Sequence, residues 1–175
     1  SNIPIMLHLA EGGDLGRFIN AFDAITSHNV DFDIIGASFY PFWHGTLQEL
    51  QNNLDTISQR YDKEVIVAET AYGYTLESFD ICGNNFDVEA EKNGGYQASV
   101  QGQATAIRDI MEVVVKVPNN KGRGIFYWEP AWIPVEGAGW LTGEGNAWEN
   151  QAMFDQNGKA LPSLNVFSLV SDPDN

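Results

Sequence analysis

The sequence predicts an α/β protein built around a parallel sheet. Short apolar runs alternate with helical repeats, in the order β-α-β-α-β-α-β-α. The runs are apolar on both faces, as strands covered on both sides must be. Each run is followed by polar or aromatic residues, and parallel α/β folds place their chemistry at the carboxyl ends of strands.

Each element has its own warrant. "IPIMLHLA" (3–10) predicts the first strand. Residues 14–29 predict a helix with Asp14 as its cap and Phe18, Phe22 and Ile25 on one face. "FDIIGASFY" (32–40) predicts the second strand. Residues 46–61 form the clearest helix. Thr46 and Glu49 have capping-box spacing, and Leu47, Leu50, Leu54, Ile57 and Tyr61 recur at three and four. "EVIVAET" (64–70) predicts the third strand, followed by a polar, Gly- and Asn-rich loop over about 71–98. Loops of that length are usually functional or disordered. A helix over 99–116 turns Val100, Ala104, Ile107, Met111 and Val114 inward. "GRGIFYWEP" (122–130) predicts the fourth strand. A second long loop, 131–160, holds Trp132, Trp140 and Trp148, and Pro162 opens a short last helix, 162–169. Two architectures satisfy this order: an open doubly wound sheet, or half of an eight-stranded barrel.

Composition narrows the function. The chain has 175 residues, 43% of them hydrophobic, enough for one domain or part of a larger one. With 9 Lys+Arg against 24 Asp+Glu, the formal net charge is −15, which repels phosphate backbones and argues against a nucleic-acid partner. No apolar run approaches the roughly 18 residues of a membrane span. The single Cys82 excludes an internal disulfide and a cysteine zinc cluster, and His8, His28 and His44 lack metal-ligand spacing. The opening Ser-Asn, without an initiator Met, is expected of an internal cut or a vector remnant.

The strand ends carry the candidate chemistry. The first offers His8, then Glu11 and Asp14; the second offers Tyr40, Phe42, Trp43 and His44. The third offers Glu69, Tyr72 and Tyr74; the fourth offers Trp128, Glu129 and Trp132. No phosphate loop and no G-x-S-x-G elbow is present. What remains is a carboxylate among aromatics. Indole and phenol rings stack on the C–H faces of sugars, and a carboxylate there can attack an anomeric carbon or protonate a leaving oxygen. Glu69 is the candidate. An attacking carboxylate must stay ionised, and hydrogen bonds to the charged form favour that.

Four segments in this order, "IMLHLAEGG", "VIVAETAYGYT", "GIFYWEPAWIP" and "GNAWENQAMFDQNGKALPSL", closely resemble glycoside hydrolase family 53, the endo-β-1,4-galactanases acting on arabinogalactan. The resemblance covers about 3–164. It implies a (β/α)8 TIM barrel of retaining glycosidase clan A, of which this chain holds strands five to eight, the C-terminal half of one catalytic domain. Glu69 then matches the nucleophile, Tyr40 the tyrosine that supports it by hydrogen bonding, and Trp128 the tryptophan under the bound galactose. His8, Trp43, Glu129 and Trp132 fall on positions lining the cleft. The acid/base glutamate, normally in an Asn-Glu pair after strand four, has no counterpart, so the chain is expected to be inactive alone. Its expected partners are galactan or arabinogalactan, and either the missing N-terminal half or a second copy meeting its open edges.

The family implies no cofactor for the chemistry. It also implies a secreted, periplasmic or cell-surface protein, and a structural calcium in the loop after strand seven, with Asp80, Asn84 and Asp87 as candidate ligands. The residues by themselves leave alternatives open. Glu69 reads as a salt-bridged strand end, Tyr40 and Trp128 as core aromatics, Glu129 as an ion-pair partner, Trp140 and Trp148 as pins for the last loop, and 77–91 as a solvated acidic face. Competing functions are a non-catalytic carbohydrate-binding fragment and a small doubly wound regulator.

Overall fold

The computed structural model describes residues 3–141 and 143–170. Ser1 and Asn2, expected to mark a cut or a remnant, lie outside the described residues. Four strands pair in parallel: β1 (Met6–Leu9), β2 (Ile34–Ser38), β3 (Glu64–Thr70) and β4 (Gly122–Tyr127). Their spatial order is β1-β2-β3-β4. A doubly wound sheet needs a point where strand order reverses. Here each strand joins the edge left by its predecessor, which is the order of a barrel wall.

The helices α1 (Leu15–Ser27), α2 (Leu47–Arg60) and α4 (Val100–Val115) stand in sequence, α1 against α2 and α2 against α4. Their apolar faces meet one side of the sheet. Ile35, Ala37, Val65 and Val67 are fully buried there with Phe18, Phe22, Leu50, Leu54, Ile57, Ile107 and Ile110. The other side of the sheet carries Met6, His8, Gly36 and Ala68. A Cβ on Gly36 would stand 2.9–3.3 Å from those three neighbours, so this position is held to glycine by crowding.

The caps explain the boundaries. Asp14 Oδ1 accepts from the Arg17 amide at 2.9 Å and opens α1. Thr46 and Glu49 close the reciprocal capping box on α2. The first strand is shorter than its apolar run, with Ile3 and Ile5 exposed. The fourth ends at Tyr127, leaving Trp128 and Glu129 on the connection beyond it. The loop predicted over 71–98 contains a helix, α3 (Val88–Gly94), capped by Asp87 and ended by Gly95 at φ 78°. Seven residues with little apolar periodicity hid it. On α4, Val100 and Ala104 are only half buried, while Gln103, Ala106, Ile110 and Val113 join Ile107, Met111 and Val114 on the buried side. The last helix is 3₁₀, Pro162–Ser168. No helix among the described residues is long and apolar enough to cross a membrane.

Candidate active site

Strict alternation would bury Glu69 with Val65 and Val67, against the helices. A register shift prevents it. Ala37 pairs with Val67, but Ser38 pairs with Glu69, so β3 carries one extra residue at Ala68. Bulges of this kind re-aim a side chain. Glu69 turns to the face of His8 and Ser38, and the next residue, Thr70, takes the buried outer position. A second shift falls on β4 between Gly122 and Ile125, where Gly124 has φ 135°. Beyond β4 the ladder continues through the Trp128 amide, which donates to the Thr70 carbonyl at 2.8 Å.

The convergent polar groups form a short chain. The Tyr40 hydroxyl donates to Glu69 Oε2 at 3.2 Å. His8 Nε2 lies 3.9 Å from Glu69 Oε1 and 2.8 Å from Ser38 Oγ. His44 Nδ1–H donates to the Ser38 carbonyl at 3.0 Å. Burial first, then the Glu69 charge and the Glu69 hydrogen bond, push the Tyr40 phenol far above the usual tyrosine range. It therefore remains a donor. Burial holds His44 below the usual histidine value, against the opposing Ser38 bond, so the ring is neutral at pH 7.

Aromatic rings surround these groups. Tyr40 lies 5.5 Å from both Trp43 and Trp148, centroid to centroid. Trp148 also meets Trp43 at 5.8 Å and Trp128 at 6.5 Å. Trp43 keeps 50% exposure, available to a ligand. Glu69, Tyr40, Trp128, His8 and Trp43 are therefore gathered at one rim. Trp132 stands further along the last loop, stacked on Trp140 at 5.1 Å. The described residues hold no ion pair for Glu129. Glu11 is taken up by an ion pair with Arg17.

Three site residues escaped sequence reading. Ser38 and His44 belong to no motif, and the sequence reads Trp148 as a pin for the last loop. Trp148 arrives through Asn146. The Asn146 side chain accepts from the Trp148 amide at 2.9 Å and donates to the Trp132 carbonyl at 2.7 Å, while its own amide donates to Asp80 Oδ2 at 2.6 Å. The usable signal was three Trp in one polar loop, more than anchoring needs.

The loop after β3 is organised around buried oxygens. Glu149 is fully buried, and its Oε1 accepts from the Phe79 amide at 2.5 Å. Burial, with Asp80 nearby, raises its pKa. Glu149 Oε2, Asn150 Oδ1 and Asn84 Oδ1 are buried without a donor. Of the candidate calcium ligands, Asp87 caps α3 through Oδ1, and Asp80 accepts from the Cys82 and Asn146 amides. Only Asn84 keeps a free buried oxygen.

Comparison with known proteins bears on the fold and the family. The profile of "Glycosyl hydrolase family 53" matches residues 1–167. An endo-beta-1,4-galactanase of Bacillus subtilis is 42% identical over 97% of this chain and 46% of its own. The solved Ignisphaera aggregans GH53 catalytic domain superposes with a TM-score of 0.93 at 52% identity, over 97% of this chain and 47% of that one. A fungal beta-1,4-galactanase superposes with a TM-score of 0.76 at 32% identity, over 95% of this chain and 48% of that one. The chain thus spans about half the length of the curated relatives it matches, and its four strands are one side of an α/β barrel. On sequence and on fold, this chain belongs to glycosyl hydrolase family 53.

Proposed function

We propose that the complete protein hydrolyses β-1,4-galactosidic bonds of galactan with retention of configuration, and that this chain supplies the nucleophile half of the site. The observation that carries this is a bulge-directed Glu69, held by the Tyr40 hydroxyl at 3.2 Å amid Trp43, Trp128 and Trp148. The galactanases among the relatives supply the substrate class.

Glu69 attacks the anomeric carbon. The bond to the leaving oxygen breaks, and an acid protonates that oxygen. Water then cleaves the galactosyl ester, its proton passing to the same group, now a base. That acid/base sits about 5–5.5 Å from the nucleophile in retaining enzymes. In this reading it stands at the end of the strand before β1. No redox or organic cofactor enters this chemistry. In the complete enzyme, Glu69→Gln is expected to lower turnover of galactan by about 10³-fold or more while leaving the fold intact. Retained activity excludes the nucleophile role. The isolated chain is expected to be inactive on galactan until the preceding half is supplied, and clear turnover by it alone refutes the split-site reading.

A structural calcium fits, in donor chemistry, the region where the loop after β3 meets the segment after β4, since the unpaired buried atoms there include Asn84 Oδ1 of the first and Glu149 Oε2 of the second, both hard oxygens. Asp87 spends Oδ1 on the α3 cap and is exposed, so it is not among the buried unpaired oxygens. Among the described residues no three His, Cys, Asp or Glu side chains gather as a metal site, so amide and backbone oxygens would complete the shell. Saturating calcium is expected to raise the melting temperature by about 5–10 °C relative to chelator; coincident melting curves exclude the site.

A further inference from the structure

Ser38 ends β2 where three strands come together, and its backbone is tied to both neighbours. Its carbonyl accepts from the Gly12 amide at 2.8 Å and from His44 Nδ1–H at 3.0 Å. It pairs with Glu69 at the bulge, and the next amide, that of Phe39, donates to the Glu69 carbonyl at 2.8 Å. The residue is buried. Its hydroxyl is therefore a fixed point beside the nucleophile. Among the described residues the hydroxyl has one hydrogen-bond partner, His8 Nε2 at 2.8 Å.

His8 needs such an anchor. It pairs with Gly36, and a Cβ there would stand 3.3 Å from its own, so the glycine leaves the inner face clear for the imidazole. The ring reaches Ser38, two residues further along the same face. Its side chain keeps 31% exposure, so packing alone does not stop it turning. Turning decides what the ring shows to Glu69, whose Oε1 lies 3.9 Å from Nε2. An N–H at that position supports the carboxylate, whereas a lone pair repels it. The nearby charge thus favours the tautomer with its proton on Nε2, and Ser38 Oγ is placed to accept from it.

We infer that Ser38 is a positioning residue for the hydrolysis: by accepting from His8 Nε2–H it holds the protonated edge of the imidazole toward Glu69. It acts through His8, as groups behind a reacting site do when they lock the orientation of the groups in front. This role rests on the glycosidase reading above and deepens it.

The test uses the complete enzyme with galactan. Ser38→Ala is expected to lower kcat about three- to tenfold with KM little changed. In a His8→Ala background the same substitution is expected to cost nothing further, because the ring it positions is gone. An equal loss in both backgrounds, or no loss in the first, overturns the role. A second measurement needs no activity. In enzyme carrying nitrogen-labelled histidine at about pH 8, above the ordinary histidine range, ring nitrogen shifts are expected to place the His8 proton on Nε2. Ser38→Ala is expected to show both tautomers, and His8→Ala identifies the signal by its loss. A proton on Nδ1 in the wild type, or a tautomer unmoved by Ser38→Ala, overturns the role even where kcat falls, because Ser38 is then structural. Failure of the parent reading looks different: complete wild-type enzyme with no turnover of galactan overturns that reading, while the ring spectra still judge the bond from His8 to Ser38.

Discussion

Glu69 reaches the cleft because β3 carries one residue too many. Without the shift at Ala68, its carboxylate would point into the apolar layer with Val65 and Val67, where an ion is costly. The bulge converts that liability into a rim group with a donor on Oε2. A hydrogen bond to a charged group contributes about 1.5–3 kcal/mol. Tyr40→Phe in the complete enzyme is therefore expected to lower kcat about ten- to a hundredfold, with KM little changed. The pH dependence follows from the sign of the shift. Burial and then Glu69 raise the phenol above its ordinary 10.0, so its proton stays on as pH climbs to that value. The ratio of wild-type to Phe kcat should stay flat up to pH 10. A ratio that collapses between pH 8 and 10 would mean that Tyr40 ionises normally and does not hold Glu69 as described.

At the scale of elements, α4 does more than cover the sheet. Gln103, fully buried on its inner face, donates through Nε2 to the carbonyls of Tyr72, Gln151 and Ala152, at 2.9, 3.3 and 3.1 Å. Its Oε1 accepts from the Ser163 hydroxyl at 2.5 Å. The Tyr127 hydroxyl, at the end of β4, joins the same cluster through the Gln151 carbonyl at 2.6 Å. One amide thus ties the segment after Glu69 to the loop carrying Trp148 and to the last 3₁₀ helix. Gln103→Leu fills the space but leaves these carbonyls and the hydroxyl short of a partner, and is expected to destabilise the protein by about 1–3 kcal/mol. Denaturant unfolding measures it, and an unchanged midpoint would remove Gln103 from this role. The periodicity of α4 was legible in sequence; its polar hub was not. An apolar repeat marks a buried face, yet it cannot say that loop carbonyls from 31 and 48 residues away will need a donor there.

Across the whole molecule, helices cover one face of the sheet and leave the other open. Phe126 is 59% exposed, and both β1 and β4 are edges. Unpaired edges and exposed apolar faces promote association. The isolated chain, 19.4 kDa, is expected to sediment as a concentration-dependent mixture above that mass, and addition of the preceding half to replace it with one species. A stable monomer at all concentrations would show that the open face needs no partner.

Element order, the apolar strands, the α1 and α2 caps and the placement of Tyr40, Glu69 and Trp128 beside strand ends were all legible in the sequence, because each depends on neighbours within a few residues. Tertiary structure decided what depends on distant ones. Strand order chose the barrel wall over the doubly wound sheet, since which edge a strand joins is set by packing and not by its own residues. The bulge at Ala68 chose the face of Glu69, and only pairing with β2 reveals it. Trp148 entered the site through Asn146, held by an acid 66 residues earlier in the chain. Period and propensity are local properties; a cleft is made where remote segments must satisfy one another's polar groups.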